Sequence, residues 1–243
     1  MDVWAAVDRL IDNVRDPSGL HGHGIHLLAA RRWRVTGRPL PPEFVMAERE
    51  AAILHLAGLA LLQQVRGILD GPVILLKGLE VAGHYPDPML RPFSDVDVLV
   101  PDPAAAYRTL CQAGFTPTKE LEYGHHLPAL RWPGSPLTLE VHSNPNWLSW
   151  MTPPSVDHLF AMAVPSVAGV DGLHALSPAQ HALHLAAHSW RHHPLRRLLD
   201  LIDVAAVAEG VDPTELSVLA EEWRMGRVWR TTMSASDVVL FGA

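Results

Sequence analysis

Apolar residues recur at helical spacing over the first third of the chain. Steps of three and four residues between them predict helices over 2–15, 25–35 and 43–69. Gly71 and Pro72 then end the third helix, because neither residue favours the continuation of a helix. The chain therefore begins with a helical region of about 70 residues.

The middle of the chain changes to short apolar runs and to the alternation of apolar and polar residues that is typical of strands. A helical turn over 79–84 and a helix over 103–113 interrupt these runs. The predicted strands cover 73–76, 93–100, 116–121, 127–132 and 137–142.

Helical spacing returns after residue 145, over 178–191, over 196–209 and from 213 onward, and no further strand is predicted. The fold class is therefore α+β, with a small mixed sheet between two helical parts. We divide the chain into an N-terminal helical region, a core that contains the sheet, and a C-terminal helical region. Their bounds are 1–70, 71–145 and 146–243.

The composition is that of a globular protein, since 48% of the 243 residues are hydrophobic and 19% are charged. No apolar run reaches the 18 or so uncharged residues of a membrane span. The first residues lack the basic and then apolar pattern of a secretory signal. We therefore expect a cytoplasmic protein that does not bind a membrane.

The net charge of −7 argues against general binding to nucleic acid, because clustered Lys and Arg supply most of the affinity for a phosphate backbone. A small molecule, a peptide or a protein is the favoured partner. The single cysteine, Cys111, excludes an internal disulfide and a thiolate zinc cluster. No pattern specifies the oligomeric state.

Two carboxylates stand in an otherwise apolar strand, Asp95-Val-Asp-Val-Leu-Val. Successive strand side chains point to opposite faces, so Asp95 and Asp97 share one face. Two like charges roughly 6 to 7 Å apart are unfavourable for stability but suit a hard divalent cation such as Mg²⁺. The alternative is that the two acids only lie at a solvent-exposed strand edge.

A third carboxylate favours the metal site. In the run Thr138-Leu-Glu-Val-His142, the side chains of Thr138, Glu140 and His142 project from one face of a strand. If this strand is a neighbour of the Asp95 strand, Glu140 completes a three-carboxylate site. Such a site could hold two Mg²⁺ ions roughly 3.5 to 4 Å apart, which would activate an attacking hydroxyl and neutralise a leaving phosphate.

The order Lys-Gly, a loop, Arg, Asp-Val-Asp and then Leu-Glu-Val-His over about 73–142 resembles the nucleotidyltransferase superfamily with the DNA polymerase β-like fold. It is more specifically similar to an uncharacterised bacterial nucleotidyltransferase family with the motif Leu-Lys-Gly, Arg and Asp-x-Asp. The resemblance implies that Asp95, Asp97 and Glu140 are catalytic residues that bind Mg²⁺. It also implies that Glu140 can assist deprotonation of the acceptor.

The resemblance further implies where the triphosphate binds. Superfamily members carry Gly-Ser after the first strand, whereas this chain has Lys-Gly-Leu there and lacks the hydroxyl. We expect Lys77, Gly78 and Arg91 to hold phosphate, because Lys and Arg are cationic and Gly permits close backbone approach. Ser94 and His142 complete the predicted nucleotide-binding set. His142 could instead orient a carboxylate or the acceptor, or be a structural histidine.

One main functional hypothesis follows: Mg²⁺-dependent transfer of an NMP group from an NTP to a hydroxyl, with release of pyrophosphate. The donor is expected to be ATP and the acceptor a small molecule, a peptide or a protein. The replaced Gly-Ser motivates a second hypothesis. In it, the protein keeps the fold as a non-catalytic binding protein, either antitoxin-like or a biosynthetic partner.

A histidine-containing helix offers another chemistry. His184 and His188 are four residues apart and could bind zinc as in a hydrolase, but the chain lacks the Glu of the zinc-protease pattern. The similar family also has such a helix, followed by a Leu-x-x-Leu-x-Asp segment. The resemblance implies that this part closes the nucleotide or acceptor pocket, with Asp200 or Asp203 capping or pairing.

Two tryptophans and five histidines complete the set of residues considered from the sequence. Trp147 and Trp150 either stack on a base or acceptor, or form an aromatic lid over the core. Five histidines are expected at the surface or in loops: His21, His23, His26, His125 and His126.

Overall fold

The computed structural model describes residues 2–118, 124–192 and 194–242. Within them the chain forms ten α-helices and a seven-stranded mixed sheet, which confirms the predicted α+β class. The predicted strand over 116–121 is described only in part, because residues 119–121 lie outside these ranges.

Three helices form the N-terminal part, as predicted: α1 (Val3–Asp12), α2 (His26–Thr36) and α3 (Pro42–Ile68). Asp2 starts α1, because its carboxylate accepts hydrogen bonds from two first-turn amides. Gly37 ends α2 in the left-handed conformation, with φ +73°, which glycine adopts without steric cost.

By length and composition alone, α3 could cross a membrane, and 22% of its most apolar 18-residue window is buried in the protein. The core helix of a globular protein meets the same criteria, so this property carries no conclusion by itself. The buried residues of α3 pack against the sheet and α2, among them Leu61, Leu62 and Val65.

The sheet has the strand order β3-β4-β5-β2-β1-β7-β6. Its two long strands, β2 and β5, are parallel neighbours in the centre, and β1 is antiparallel to β2. The strands are β1 (Ile74–Leu75), β2 (Asp95–Leu99), β3 (Thr116–Pro117), β4 (Leu130–Arg131), β5 (Thr138–His142), β6 (Val164–Pro165) and β7 (His174–Ala175).

The expectation that strands end before residue 145 is wrong. The hairpin of β6 and β7 extends the sheet, and β7 pairs in parallel with β1. Each of these strands has only two residues, which is too short to show the period of two on which strand prediction depends.

The remaining helices are α4 (Leu79–Ala82), α5 (Pro103–Gln112), α6 (Val156–Ala161), α7 (Pro178–His192), α8 (Leu198–Ala208), α9 (Pro213–Glu222) and α10 (Gly226–Ser236). Helices α7 to α10 pack with α1 and α2 in one apolar cluster. On the sheet, the apolar side chains of one face pack against α3 and α5 in a second cluster. The opposite face carries the acids of β2 and β5, and α7 lies beside it.

A buried histidine fixes α7 at the end of β1. His181 Nε2 lies 2.8 Å from the carbonyl oxygen of Leu76, to which its N–H donates. Burial lowers the pKa of His181 to about 4, so the ring is neutral at physiological pH. This contact places the following turns of α7 over the segment that begins with Lys77.

Candidate active site

The three predicted carboxylates lie on adjacent strands. In the β2–β5 ladder Asp97 is opposite Glu140, and Asp95 is opposite Thr138. The prediction that the Asp95 strand and the Glu140 strand are neighbours in one sheet is thus confirmed. Asp97 is only 1% exposed, which contradicts the alternative of a solvent-exposed pair of acids.

Asp97 has two cationic neighbours. His142 Nε2 lies 2.9 Å from Asp97 Oδ1, and Lys77 Nζ lies 3.2 Å from the same oxygen. Burial by itself would raise the pKa of Asp97, but Lys77 and the hydrogen bond from His142 outweigh burial and hold that pKa well below its ordinary value. Asp97 is therefore a carboxylate at physiological pH.

His142 orients the acids. Its Nε2 also lies 3.5 Å from Glu140 Oε2, so it contacts both carboxylates. Burial opposes its protonation, but the hydrogen bonds to Asp97 and Glu140 raise the pKa of His142 to about 9. Of the roles considered from the sequence, carboxylate orientation is the one that this geometry supports.

Asp95 differs from Asp97. Burial and then the negative charge of Asp97 raise the pKa of Asp95 to about 6. Its folded-state pKa lies above the ordinary value of 3.8, so the charged form opposes folding at neutral pH. The stability lost through this group is regained as the pH falls through about 6.

We expect affinity for a divalent metal to fall as the pH is lowered through about 6, because Asp95 then takes up a proton and ceases to be a ligand. Titration of Mn²⁺ into the protein between pH 5 and pH 8 measures this. In EDTA at pH 7.5, Asp95→Asn should raise the melting temperature, and the gain should shrink as the pH falls below about 6 and vanish below the ordinary value of 3.8. A metal affinity that stays constant down to pH 5 would contradict the prediction.

The donor set fits a metal ion. Ligand atoms of Asp97, Glu140 and His142 all lie within 4.8 Å of one another. Among the described residues, this is the cluster of at least three His, Cys, Asp or Glu side chains that is close enough to share one metal ion. Asp97 Oδ2 is buried and has no hydrogen-bond partner among those residues. Carboxylate oxygens suit Mg²⁺ or Mn²⁺, whereas the protonated His142 ring donates to both acids and has no lone pair on Nε2 for a metal. Asp97 and Glu140 would hold such an ion, with Asp95 beside them.

Lys77 links the acids to α7. Its Nζ donates to Nε2 of His188 at 3.1 Å, in addition to its ion pair with Asp97. Burial would lower the pKa of Lys77, but Asp97 and Asp95 raise it above its ordinary value. Burial and the Lys77 charge hold the pKa of His188 well below its ordinary value, so its ring stays neutral and accepts this bond.

Gly78 has a backbone conformation that favours glycine, with φ +62° and ψ −119°. A Cβ atom at this position would lie 3.3 Å from the carbonyl oxygen of Asp95, which is a tight contact. The turn therefore passes close to the acid strand. This explains the glycine after Lys77.

The guanidinium of Arg91 is paired within the protein, which argues against its expected role as a phosphate ligand. It is 8% exposed and forms two hydrogen bonds with Asp203, Nε to Oδ1 at 2.9 Å and Nη2 to Oδ2 at 2.8 Å. Tyr85 also donates to Asp203, at 2.7 Å. The expected pairing of Asp203 is confirmed. Since Arg91 Nη1 reaches the carbonyl of Gly78 at 3.4 Å, the pair braces the Gly78 turn.

Two histidines that were expected at the surface or in loops are buried. His26 is 5% exposed because it begins α2 and packs near Phe44. His126 is 6% exposed, and an isolated β-bridge to His142 brings its Nε2 to 3.7 Å from Glu140. Sequence reasoning missed both, because single histidines outside a clear periodic pattern carry no signal of burial.

The zinc and tryptophan hypotheses have different outcomes. The pair His184 and His188 has no third ligand within the described residues that would make a zinc site. Trp147 packs edge-on against Trp223 and His184, with ring centroids 5.2 and 5.4 Å apart, as expected of an aromatic lid. Trp150 is half exposed.

Two cavities meet at the acids. The larger, about 500 Å³, contains the predicted phosphate-binding residues Lys77, Gly78, Arg91 and Ser94. The smaller, about 430 Å³, contains Glu140, His142 and His184. Six residues border both cavities: Lys77, Asp95, His188, Ser189, Arg197 and Asp200.

Two acids on one strand, a third acid on the neighbouring strand and a Lys-Gly turn beside them are the arrangement that a metal-dependent transferase of phosphorus-containing groups needs. The chain belongs to a family described as uncharacterised nucleotidyltransferase, whose model matches residues 20–236. This confirms the family that the motifs indicated. No curated protein matches the chain.

Proposed function

We propose that the protein transfers an NMP group from an NTP to a hydroxyl of a small molecule, peptide or protein, with Mg²⁺ as the metal and pyrophosphate as the second product. One observation carries this proposal: the carboxylates of Asp95, Asp97 and Glu140 lie where two cavities meet. A group-transfer enzyme needs such an arrangement, because donor and acceptor must approach the same reacting atom.

The larger cavity is the better candidate for the nucleotide. Leu54 and Phe93 give it apolar walls on which a base could rest, and Lys77, Gly78 and Ser94 lie near the acids. The Ser94 hydroxyl offers a phosphate contact that the missing Gly-Ser serine does not supply. ATP is the first donor to test.

The smaller cavity is the better candidate for the acceptor. Glu140 borders it, and so does His184, which is 1% exposed and has no partner for either ring nitrogen within the described residues. Burial, with the nearby His181 and His188, holds the pKa of His184 well below its ordinary value. The neutral ring can donate or accept a hydrogen bond with an acceptor hydroxyl.

The chemistry balances with these residues. The acceptor oxygen attacks the α-phosphorus, its proton passes to the Glu140 carboxylate, and the bond from the α-phosphorus to the bridging oxygen breaks to release pyrophosphate. Bound divalent cations supply neutralisation of the charge on the phosphates. Lys77 contributes a second positive charge, and His142 keeps the acids oriented.

Calorimetry tests the proposal. We expect ATP to bind in the presence of Mg²⁺, and binding to weaken strongly when EDTA replaces the metal, because the acids would then repel the triphosphate. Each of the four NTPs should be titrated. Failure of every NTP to bind would contradict the proposal and favour the non-catalytic partner hypothesis.

A further inference from the structure

One cation at the larger cavity remains unassigned. Arg197 borders both cavities, and within the described residues no carboxylate lies at ion-pair distance from it. Gly24 explains its position: a Cβ at Gly24 would lie 2.9 Å from Arg197 Nη2 and 3.0 Å from Leu199. Arg197 therefore lies against bare backbone, with its charge at the cavity.

The first turn of α2 lies beside Arg197. Gly24, His26 and Leu27 line the same cavity, and the N-cap residue Ile25 has no side chain that could accept a hydrogen bond from the amides of that turn. The N-terminus of an eleven-residue helix carries partial positive charge and directs N–H groups outward, which favours an anion.

A buried polar side chain with an unmet hydrogen bond also borders this cavity. His26 is 5% exposed, and its Nδ1 has no partner within the described residues. Burial and then His21 lower the pKa of His26 to about 4, so its ring is neutral and one of its nitrogens can donate a hydrogen bond. An unsatisfied buried nitrogen is costly unless a ligand completes its hydrogen bond.

We propose that Arg197, His26 and the N-terminus of α2 form a phosphate-binding site for the β- and γ-phosphates of the nucleotide. This inference rests on the proposed function. Arg197 would then be the phosphate ligand that the sequence analysis expected Arg91 to be. The guanidinium of Arg91 is instead paired with Asp203. A guanidinium presents two parallel donors to a phosphate, and the helix amides supply further donors.

Acidic residues in the cavity wall make phosphate binding depend on a divalent cation. Its wall also contains Glu50 and Asp200, together with the catalytic acids. A polyphosphate would meet repulsion from them unless a divalent cation accompanies it. Pyrophosphate should therefore bind to this site more strongly with Mg²⁺ than without it.

Calorimetry with inorganic pyrophosphate and Mg²⁺ tests the site. We expect Arg197→Gln to weaken pyrophosphate binding at least tenfold, and Arg197→Lys to recover part of the affinity, because Lys keeps the charge but lacks the fork. The matched control is Arg196→Gln, because Arg196 is the exposed neighbour of Arg197 and lines neither cavity. The affinity of this variant for pyrophosphate should lie within twofold of that of the wild type. His26→Gln should weaken binding by a smaller factor.

Other outcomes would overturn the assignment. Unchanged pyrophosphate affinity in a folded Arg197→Gln variant contradicts it, and so does a loss for AMP as large as that for pyrophosphate, since AMP lacks the β- and γ-phosphates. If the wild type binds ATP while Arg197→Gln has no effect, this inference fails and the proposed function stands. If the wild type binds no NTP, the proposed function itself fails.

Discussion

Asp97→Asn should reduce NMP transfer by roughly 10³-fold, a loss of the size seen when one preorganised charge-stabilising group is removed. The amide has the same shape as the carboxylate but carries no charge, so it would be a poor metal ligand. It would also leave Lys77 and His142 without the carboxylate oxygen that they share. Transfer is measured with an NTP labelled at its α-phosphorus and a panel of hydroxyl acceptors.

Asp70→Asn is the matched control, because Asp70 is an exposed residue outside both cavities and the chemical change is the same. Its transfer rate should equal that of the wild type. The melting temperature of each variant separates loss of chemistry from loss of fold. Full activity in a folded Asp97→Asn protein would rule out the proposed metal site.

Asp203→Asn should destabilise the protein by about 3–5 kcal/mol, because it removes the only carboxylate that pairs with the buried Arg91 in the described part of the chain. The variant would also change the acceptor of the Tyr85 hydroxyl. Urea denaturation measures the loss. The double variant Arg91→Met, Asp203→Leu should recover part of the stability, since it removes both charges.

Glu221→Gln provides the comparison for this pair. Glu221 forms an ion pair with Arg230 in which both side chains are largely exposed. Solvent screens such pairs, so this variant should show little change in the free energy of unfolding. An equally small change for Asp203→Asn would show that the buried pair is not what holds the Gly78 turn to the C-terminal helices.

The sequence was most informative where local periodicity decides geometry. Alternation places Asp95 and Asp97 on one face of β2 and Glu140 on the matching face of β5, and the register of the two strands agrees with this. The Lys77-Gly78 turn could also be found, because glycine after a buried strand indicates an unusual backbone conformation. These features depend on neighbours within a few residues.

Other features depend on pairings between distant residues, which one sequence does not reveal. Arg91 and Asp203 are 112 positions apart, so nothing near Arg91 predicts that its fork is occupied. Arg197 was read as part of a helix rather than as a cation at the cavity. Its contact with Gly24 depends on how α2 and α8 pack. The burial of His26 likewise depends on how distant elements pack, because its ring lies near Phe44 of α3.

The parallel pairing of β1 with β7 has a consequence for synthesis. It joins residue 74 with residue 174, so β1 leaves the ribosome long before its partner. At about 5–20 residues per second, the apolar edge of Ile74 and Leu75 would wait roughly 5–20 s for β7. An unpaired apolar edge can add strands from other chains. We therefore expect this edge to stay open after residues 71–145 have emerged, and a chaperone that covers it would act in that interval.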